Sequence, residues 1–350
     1  MTPASPTPPR RTREEAFDRF ALIVNGPALF NAIVTGVETG IFDALSEGEG
    51  PTLDNLADRV GVSRQKLRML MFSLCATELV ERRAHGYWLS ELAEEFLGHD
   101  GPDSWRHIVL GWQRIYYPAF AQLTPAILSD SNTALAAYPG NEPTLYERLQ
   151  HSPEAETVLH RAMSAFTLQS MPGLLAHADL VGVGHLLDIG GGDGTTALAL
   201  LEKYPDLRIT ILDVPSMAAR AAATGHERVE ILSGDVFDTE FPEGVDAVLC
   251  SHFLEVFAAE EITAIARKAY EALVPGGPML VYGFNASADE TAGVFSSRLA
   301  VYLTALATGR GMTYPAGDYE KWLSEAGFEA VHTIEDLPYE HGLTLGWKAH

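Results

Sequence analysis

The sequence HLLDIGGGDG, at residues 185–194, decides the fold of this chain. An apolar run leads into Asp188, a glycine-rich turn follows, and TTALAL at residues 195–200 has the composition of a helix. Glycine adopts positive φ angles and lets a ligand lie against the backbone. This order therefore predicts a strand, a tight loop and a helix N-terminus that together form a binding site.

A second acidic residue follows at the end of the next apolar run, RITILDV at residues 208–214. Asp213 lies about 20 positions after the glycines, the spacing of a carboxylate that accepts hydrogen bonds from a ribose diol. We therefore expect a nucleoside-bearing cofactor across the carboxyl ends of the first two strands of an α/β sheet.

The glycine-rich turn also limits the choice of cofactor. Its sequence is GGGDG rather than GxGxxG, and an acidic residue in the loop would repel a pyrophosphate. It suits a cofactor with a cationic centre and an amino group, S-adenosyl-L-methionine. GDVF at 234–237 resembles a segment that packs beside an adenine, and LVPGG at 273–277 precedes a strand as in class I methyltransferases. A generic nucleotide-binding fold is the alternative.

Apolar runs and helical segments alternate from residue 185 onward, which predicts a parallel, doubly wound sheet. An insertion at 290–308 and a helix at 318–326 precede the last two strands, which we expect to form a reversed hairpin. The predicted strands are 185–190, 208–214, 229–233, 246–251, 278–283, 329–336 and 343–349.

Composition excludes several classes of partner. The chain has 350 residues and a formal net charge of -23, a poor match for a phosphate backbone or an anionic membrane, so neither nucleic acid nor membrane is expected to bind. Cys75 and Cys250 cannot form a disulfide framework, which predicts a cytoplasmic location. Residues 1–13, rich in proline and arginine, are predicted to be a disordered tail.

Residues 14–104 show a winged-helix pattern. We expect two helices at 14–45 broken near Gly26-Pro27, amphipathic helices at 53–60 and 63–79, and a hairpin wing at 80–89. Residues 21–37 are uncharged but contain two asparagines and a proline, which favours a buried helix at a dimer interface over a membrane span. Acidic side chains outnumber basic ones 15 to 7 over 14–100, which favours dimerisation over DNA binding.

Residues 105–180 have helical periodicity with clusters of aromatic side chains and are interpreted as a helical linker that contributes to a substrate pocket. Tyr116 and Tyr117 are the candidates for lining that pocket. Residues 181–350 then form the cofactor-binding domain. The fold class expected for the whole chain is α/β, a Rossmann-like domain preceded by a mostly helical one.

These segments together resemble the small-molecule O-methyltransferase family of bacterial secondary metabolism and plant phenolic metabolism. The resemblance covers nearly everything after residue 14. It implies a homodimer that joins through the winged-helix domain and acts on a small-molecule substrate. It also implies a set of residues that bind S-adenosyl-L-methionine, namely Asp188, Gly190, Gly192, Asp213, Val214, Asp235, Val236 and Ser251.

The chain departs from that family directly after the fourth strand. The family carries a catalytic histidine there, followed by Asp or Asn and Trp, whereas this chain has CSHFLEVF at 250–257. Glu255 takes the position of the catalytic histidine, and His252 lies three residues earlier. A carboxylate with a pKa of about 4.3 is a poor base for a phenol with a pKa of about 10, and burial narrows that gap only in part.

A metal ion offers another chemistry for these residues. His252 and Glu255, at i and i+3 on a helical turn, would share a face, and His341 lies in the link between the last two strands. The three would form a facial triad for Fe, Zn, Co, Ni or Mn. A resembling subgroup of the family consists of metal-dependent C-methyltransferases of 2-oxo acids. The alternative is a core histidine, a hydrogen-bonding glutamate and a solvated turn.

The leading hypothesis is therefore metal-assisted methylation of a 2-oxo acid at its β-carbon, with Glu255 and His252 as catalytic residues. The first alternative is O-methylation of a phenolic or polyketide hydroxyl with Glu255 or a water molecule as the base. The second is a non-methylating protein of the same fold that only binds the cofactor.

Overall fold

The computed structural model describes residues 11–48 and 50–350. The chain divides into two compact units, Met1–Val109 and Leu110–His350. The predicted disordered tail lies outside the described residues except for its last three positions. There Thr12 and Glu15 form a capping box, and Arg13 already begins a helix. The boundaries predicted at residues 104 and 180 remain a proposal.

The first unit is mostly helical and has the predicted wing. Its core is formed by leucines and aromatic side chains such as Phe42, Leu56 and Leu67. The two short strands pair antiparallel, Val80 opposite Leu89. The elements of this part of the chain are α1 (Arg13–Glu38), α2 (Ile41–Ser46), α3 (Leu53–Val60), α4 (Arg64–Ala76), β1 (Val80–Arg83), β2 (Gly86–Leu89), α5 (Glu91–Leu97) and α6 (Trp105–Gly111).

The expected break near Gly26-Pro27 is wrong, because α1 runs through Pro27 without interruption. Proline removes one backbone donor from a helix, but here the capping box holds the N-terminal end and packing against α4 holds the C-terminal half. The N-terminal half exposes Phe17, Leu22 and Ile23 by more than half of each side chain. By length and composition alone α1 could span a membrane, with a mean hydropathy of 1.7.

The second unit is a seven-stranded sheet with helices on both faces. Its strands are β3 (His185–Ile189), β4 (Arg208–Asp213), β5 (Val229–Ser233), β6 (Ala247–Ser251), β7 (Pro278–Phe284), β8 (Glu329–Leu337) and β9 (His341–Trp347). Its helices are α7 (Tyr117–Phe120), α8 (Leu123–Ser129), α9 (Leu145–Arg148), α10 (Pro153–His177), α11 (Thr195–Lys203), α12 (Pro215–Ala222), α13 (Ala259–Ala272), α14 (Val294–Tyr302) and α15 (Ala316–Ala326). Two π-helical turns, Trp112–Tyr116 and Leu303–Ala307, interrupt the helical segments.

The strand order is β5-β4-β3-β6-β7-β9-β8, with β9 antiparallel to both of its neighbours. This confirms the predicted doubly wound sheet with a reversed last strand. The register places Asp188 beside Ile211 and Leu249, so the loops after β3, β4 and β6 lie at one edge. The last strand begins two residues earlier than predicted. His341 is therefore its first residue and pairs with Phe284 of β7.

Candidate functional site

The loop after β3 is held open by glycine and by a carboxylate from the next strand. Gly190 has a φ angle of +73°, and a Cβ atom there would overlap the ring of Phe253. Asp213 accepts hydrogen bonds from the backbone N–H groups of Gly192, at 2.9 Å, and Val214, at 2.7 Å. The two strand ends thus form one rigid cradle.

The cradle opens on a cavity of about 330 Å³, which we call the cofactor cavity. Five of the predicted cofactor-binding residues line it, namely Gly190, Gly192, Asp213, Val214 and Asp235. The other three do not. The Val236 side chain packs into the core, the Ser251 hydroxyl lies beside His252, and Asp188 lies beneath the loop.

The carboxylates under this cavity are buried and only partly satisfied. Neither oxygen of Asp188 has a hydrogen-bond partner among the residues that the structure describes. Burial, with a contribution from the charge of Asp213, raises the pKa of Asp188 to about 7. Burial also raises the pKa of Asp213 to about 6, against the opposing effect of its two amide donors. An unpaired buried carboxylate such as that of Asp188 favours a nearby cation, so the site fits a cofactor with a sulfonium and an ammonium group.

A second cavity, of about 90 Å³, adjoins the first. The two share Tyr146, Met163, His252 and Val256, so they meet at His252. Of the two tyrosines predicted to line a substrate pocket, Tyr116 lines this second cavity and Tyr117 is not among its lining residues. Both π-helical turns contribute side chains to its wall, and such turns recur at functional sites. We call it the acceptor cavity.

His252 has a strained backbone at the junction of the two cavities. Its φ angle is +52°, and its N–H donates to the carbonyl of Tyr282 at 2.7 Å. A non-glycine residue in this region costs about 1–3 kcal/mol and is found preferentially at active sites. The expected helical turn shared with Glu255 does not form, because the turn begins only at Leu254. His252 and Glu255 nevertheless line the same cavity.

His252 and His341 form a hydrogen-bonded pair, with 2.7 Å between their Nε2 atoms. His341 Nδ1 lies 3.0 Å from the carbonyl oxygen of Tyr339 and must donate to it, so His341 Nε2 is the acceptor. His252 Nε2–H therefore donates to His341. The lone pair of His252 is then on Nδ1, at a long 3.3 Å from the Ser251 hydroxyl.

Both imidazoles are neutral near pH 7. Burial, and then the neighbouring His341, lowers the pKa of His252 well below its usual value. Burial lowers the pKa of His341 to about 4. The pair therefore provides one neutral base, at His252 Nδ1, whose ring His341 holds in a single tautomer.

Glu255 is a buried carboxyl group in the wall of the acceptor cavity. It is 4% exposed, and Oε1 accepts the N–H of Phe284 at 3.0 Å. Gly283 leaves room for it, because a Cβ atom there would overlap Oε1. Burial raises the pKa of Glu255 to about 7 despite the hydrogen bonds that lower it. The group can therefore accept and release a proton near neutral pH.

The predicted metal triad does not fit a metal ion in this arrangement. Two histidine nitrogens bound to one ion at about 2.0–2.1 Å each would lie about 3 Å or more from one another. The Nε2 atoms of His252 and His341 are instead 2.7 Å apart and joined by a hydrogen bond. Within residues 11–48 and 50–350, no three His, Cys, Asp or Glu side chains come together as a metal-binding group.

Several wall residues were not predicted individually from the sequence. Arg298 on α14 places its guanidinium 4.3 Å from the ring centre of Trp112 and 5.3 Å from that of Tyr116. Tyr302 stacks on Tyr116 with 4.0 Å between ring centres, and Phe166 stacks on Phe284 at 5.3 Å. The available signal was a single arginine in an otherwise uncharged helix of the 290–308 insertion.

Comparison with known families agrees with this fold and cofactor cavity. A family model described as an O-methyltransferase domain matches residues 120–329, and one described as an O-methyltransferase dimerisation domain matches residues 22–99. The chain belongs to this O-methyltransferase family. It is an S-adenosyl-L-methionine-dependent methyltransferase of the class I fold.

Individual relatives act at different kinds of atom. An L-tyrosine C(3)-methyltransferase of Streptomyces lavendulae is 28% identical over 98% of this chain and 93% of its own. A 3-hydroxy-5-methyl-1-naphthoate 3-O-methyltransferase of Streptomyces sahachiroi is 28% identical over 91% of each. The apo structure of the S-adenosylmethionine-dependent methyltransferase SibL has a TM-score of 0.82 at 30% identity, covering 95% of this chain and 99% of its own.

Proposed function

We propose that this enzyme transfers the methyl group of S-adenosyl-L-methionine to the ring carbon beside the hydroxyl of a small phenol. The observation that supports this most is the presence of two separate proton acceptors, Glu255 and His252, in one cavity wall. O-methylation of a phenol removes one proton, from oxygen. Methylation at the ring carbon has two proton-transfer events, at the hydroxyl and at the carbon.

Gly190, Gly192 and Asp213 would hold the cofactor in the cradle, and the cofactor would supply an electrophilic methyl group. Glu255 accepts the hydroxyl proton of the phenol, and electron density moves to the adjacent ring carbon. That carbon would form the new bond to the methyl group as the methyl–sulfur bond breaks and S-adenosylhomocysteine leaves, which gives a methylated dienone. His252 then accepts the ring proton at Nδ1, and the C–H electron pair restores the aromatic ring as a phenolate, which takes back the proton from Glu255. One proton is released overall, from His252, while His341 accepts the hydrogen bond from His252 Nε2–H.

Burial makes Glu255 a stronger base than its residue type suggests. An unperturbed carboxylate differs from a phenol by about 6 pKa units, or about 8 kcal/mol of proton-transfer free energy. With the pKa of Glu255 raised to about 7, the gap to an ordinary phenol falls to about 3 units, or about 4 kcal/mol. Enzymes close a gap of this size by positioning base and substrate together.

A substrate deuterated at both ring carbons beside the hydroxyl tests the proposal. We would incubate the enzyme with S-adenosyl-L-methionine and ring-deuterated L-tyrosine or 4-hydroxyphenylacetate, and analyse the product by mass spectrometry and NMR. Ring methylation releases one deuteron per methyl group and gives an aryl methyl signal. A methoxy signal with both deuterons retained would instead establish O-methylation, the chemistry named for several relatives.

Metal-assisted methylation of a 2-oxo acid at its β-carbon is the second candidate. What favours it is that His252 and Glu255 line one cavity wall and that His341 contacts His252, so the three predicted ligands are near one another without forming a metal-binding group. It requires the histidine pair to separate, because the present arrangement does not fit a metal ion. Elemental analysis tests it: about one Fe, Zn, Co, Ni or Mn per chain, lost in His341→Ala, would support this candidate over the metal-independent one.

We also propose that the protein is a homodimer in a pathway of secondary metabolism. The dimerisation-domain match and the exposed apolar side chains of α1 support the dimer. Relatives such as a mitomycin biosynthesis 6-O-methyltransferase of Streptomyces lavendulae, 30% identical over 80% of this chain, support the pathway class. Light scattering should give twice the chain mass for the wild type, and a monomer for Ile23→Asp would place the contact on α1.

The cytoplasmic location remains a prediction, consistent with free thiols at Cys75 and Cys250.

A further inference from the structure

Arg298 brings a positive charge into the wall of the acceptor cavity, where several aromatic rings lie beside it. It lies on α14, and its guanidinium packs over the faces of Trp112 and Tyr116. Nε and Nη1 are buried and have no hydrogen-bond partner in the described part of the chain. A buried guanidinium with open donors is costly unless an anion pairs with it.

The side chains within residues 11–48 and 50–350 do not provide that anion. The carboxylate of Glu340 contributes a favourable charge, but its oxygens accept the backbone N–H groups of Val294 and Ser296 at 2.7 and 2.9 Å. The phenol of Tyr116 is hydrogen-bonded to the guanidinium and that of Tyr302 lies nearby, but burial raises the pKa of each, so both are neutral near pH 7. The stacked rings of Trp112 and Tyr116 stabilise the cation only in part.

We propose that the methyl acceptor carries a carboxylate and that Arg298 binds it. The inference rests on the proposed function only in taking the acceptor to occupy this cavity. A guanidinium offers parallel N–H donors that match the two oxygens of a carboxylate. The acceptor then lies with its carboxylate at Arg298 and its hydroxyl at Glu255, as a phenolic amino acid or a phenol-bearing alkanoic acid.

Comparing an acid with its nearly isosteric amide isolates the contribution of the carboxylate charge to binding. We would titrate the enzyme, saturated with S-adenosylhomocysteine, with 4-hydroxyphenylacetate and with 4-hydroxyphenylacetamide in a calorimeter, and repeat this with L-tyrosine and L-tyrosinamide. The wild type should bind each acid at least about tenfold more tightly than its amide. Arg298→Met should remove this preference, mainly by weakening the acid.

Two further variants separate recognition from folding. Arg298→Lys keeps the charge but loses the forked donors and should retain part of the preference. Ser297→Ala, an exposed position on the same helix, should bind both ligands as the wild type does. Equal binding of acid and amide by the wild type, or no binding of either, overturns the inference without needing any variant.

The test of the role of Arg298 and the test of the proposed methylation reaction can fail independently of each other. Ring methylation of acid and amide with equal KM would leave the proposed reaction standing and overturn the role of Arg298. A methoxy product, or no product, together with an acid preference that depends on Arg298, would do the reverse. In steady-state kinetics Arg298→Met should raise KM for the acid by about tenfold or more and leave KM for the amide unchanged.

Discussion

The cofactor cavity and the acceptor cavity meet at His252, but the first is lined mainly by backbone and the second by side chains. The first is formed largely by backbone at the ends of adjacent strands, where Asp213 fixes Gly192 and Val214 through their N–H groups. The second is formed by side chains from segments far apart in the chain, two of which are π-helical turns. Backbone geometry keeps one ligand constant across a family, whereas side chains at a separate wall allow the acceptor to vary.

The largest effect should come from Glu255, because it is placed to take the hydroxyl proton. Glu255→Gln keeps the shape and removes the base, so we expect kcat to fall by about 10²–10⁴ with cofactor affinity unchanged. Stopped assays and calorimetry with S-adenosylhomocysteine measure the two quantities. Glu260→Gln, an exposed carboxylate on the following helix, is the matched control. A loss of cofactor affinity equal to the loss of kcat would mean that the two cavities do not act independently.

A change in the cradle should have the opposite pattern. In Gly190→Ala, the φ of +73° and the overlap on the Phe253 ring together cost about 3 kcal/mol in the cradle conformation. We expect the loop to relax away from it, so that binding S-adenosylhomocysteine must restore the cradle and the affinity falls by about 100-fold. Gly225→Ala is the control, because its φ is +61° but an added Cβ meets nothing within 4 Å. Unchanged affinity in Gly190→Ala, measured by calorimetry, would show that the loop adjusts and that the cradle is not rigid.

His341 tests whether the histidine pair acts as a unit. It contacts His252 rather than lining the cavity, so it is a positioning residue, and His341→Asn should lower kcat by about tenfold with little change in KM. Because His341 lowers the pKa of His252, its removal should also raise that pKa. NMR titration of the His252 ring measures the shift. An unmoved His252 pKa with the same loss of rate would leave only a structural role for His341.

The difference between the cavities also decides what the sequence could predict. HLLDIGGGDG and the acidic end of the next strand lie close together in the chain, so the sheet and five cofactor-cavity residues were predictable. The acceptor cavity depends on the positive φ of His252, on the register that starts β9 at His341 and on the orientation of Arg298. These are set by long-range packing, and the i, i+3 spacing of His252 and Glu255 therefore predicted a helical face that does not form.

The smallest effect concerns stability rather than rate, and it tests the burial of Glu255 directly. Its folded pKa is raised to about 7, above the usual value of 4.5, so the folded state keeps a proton that the unfolded state releases. The associated stability is present below about pH 4.5 and is lost as the pH rises through about 7. Linkage then predicts a loss of about 1.4 kcal/mol between about pH 6 and about pH 8 that Glu255→Gln does not share.

Thermal unfolding of the wild type and Glu255→Gln at both pH values measures this difference. Other titrating groups are common to the two proteins and cancel in the comparison. The gain in relative stability of Glu255→Gln at the higher pH should appear with substrate and cofactor absent, because it arises from burial alone. If the two proteins respond identically to pH, Glu255 titrates as an exposed carboxylate does, and the gap to a phenol returns to about 6 pKa units. The acceptor cavity would then lack a base strong enough for the proposed reaction.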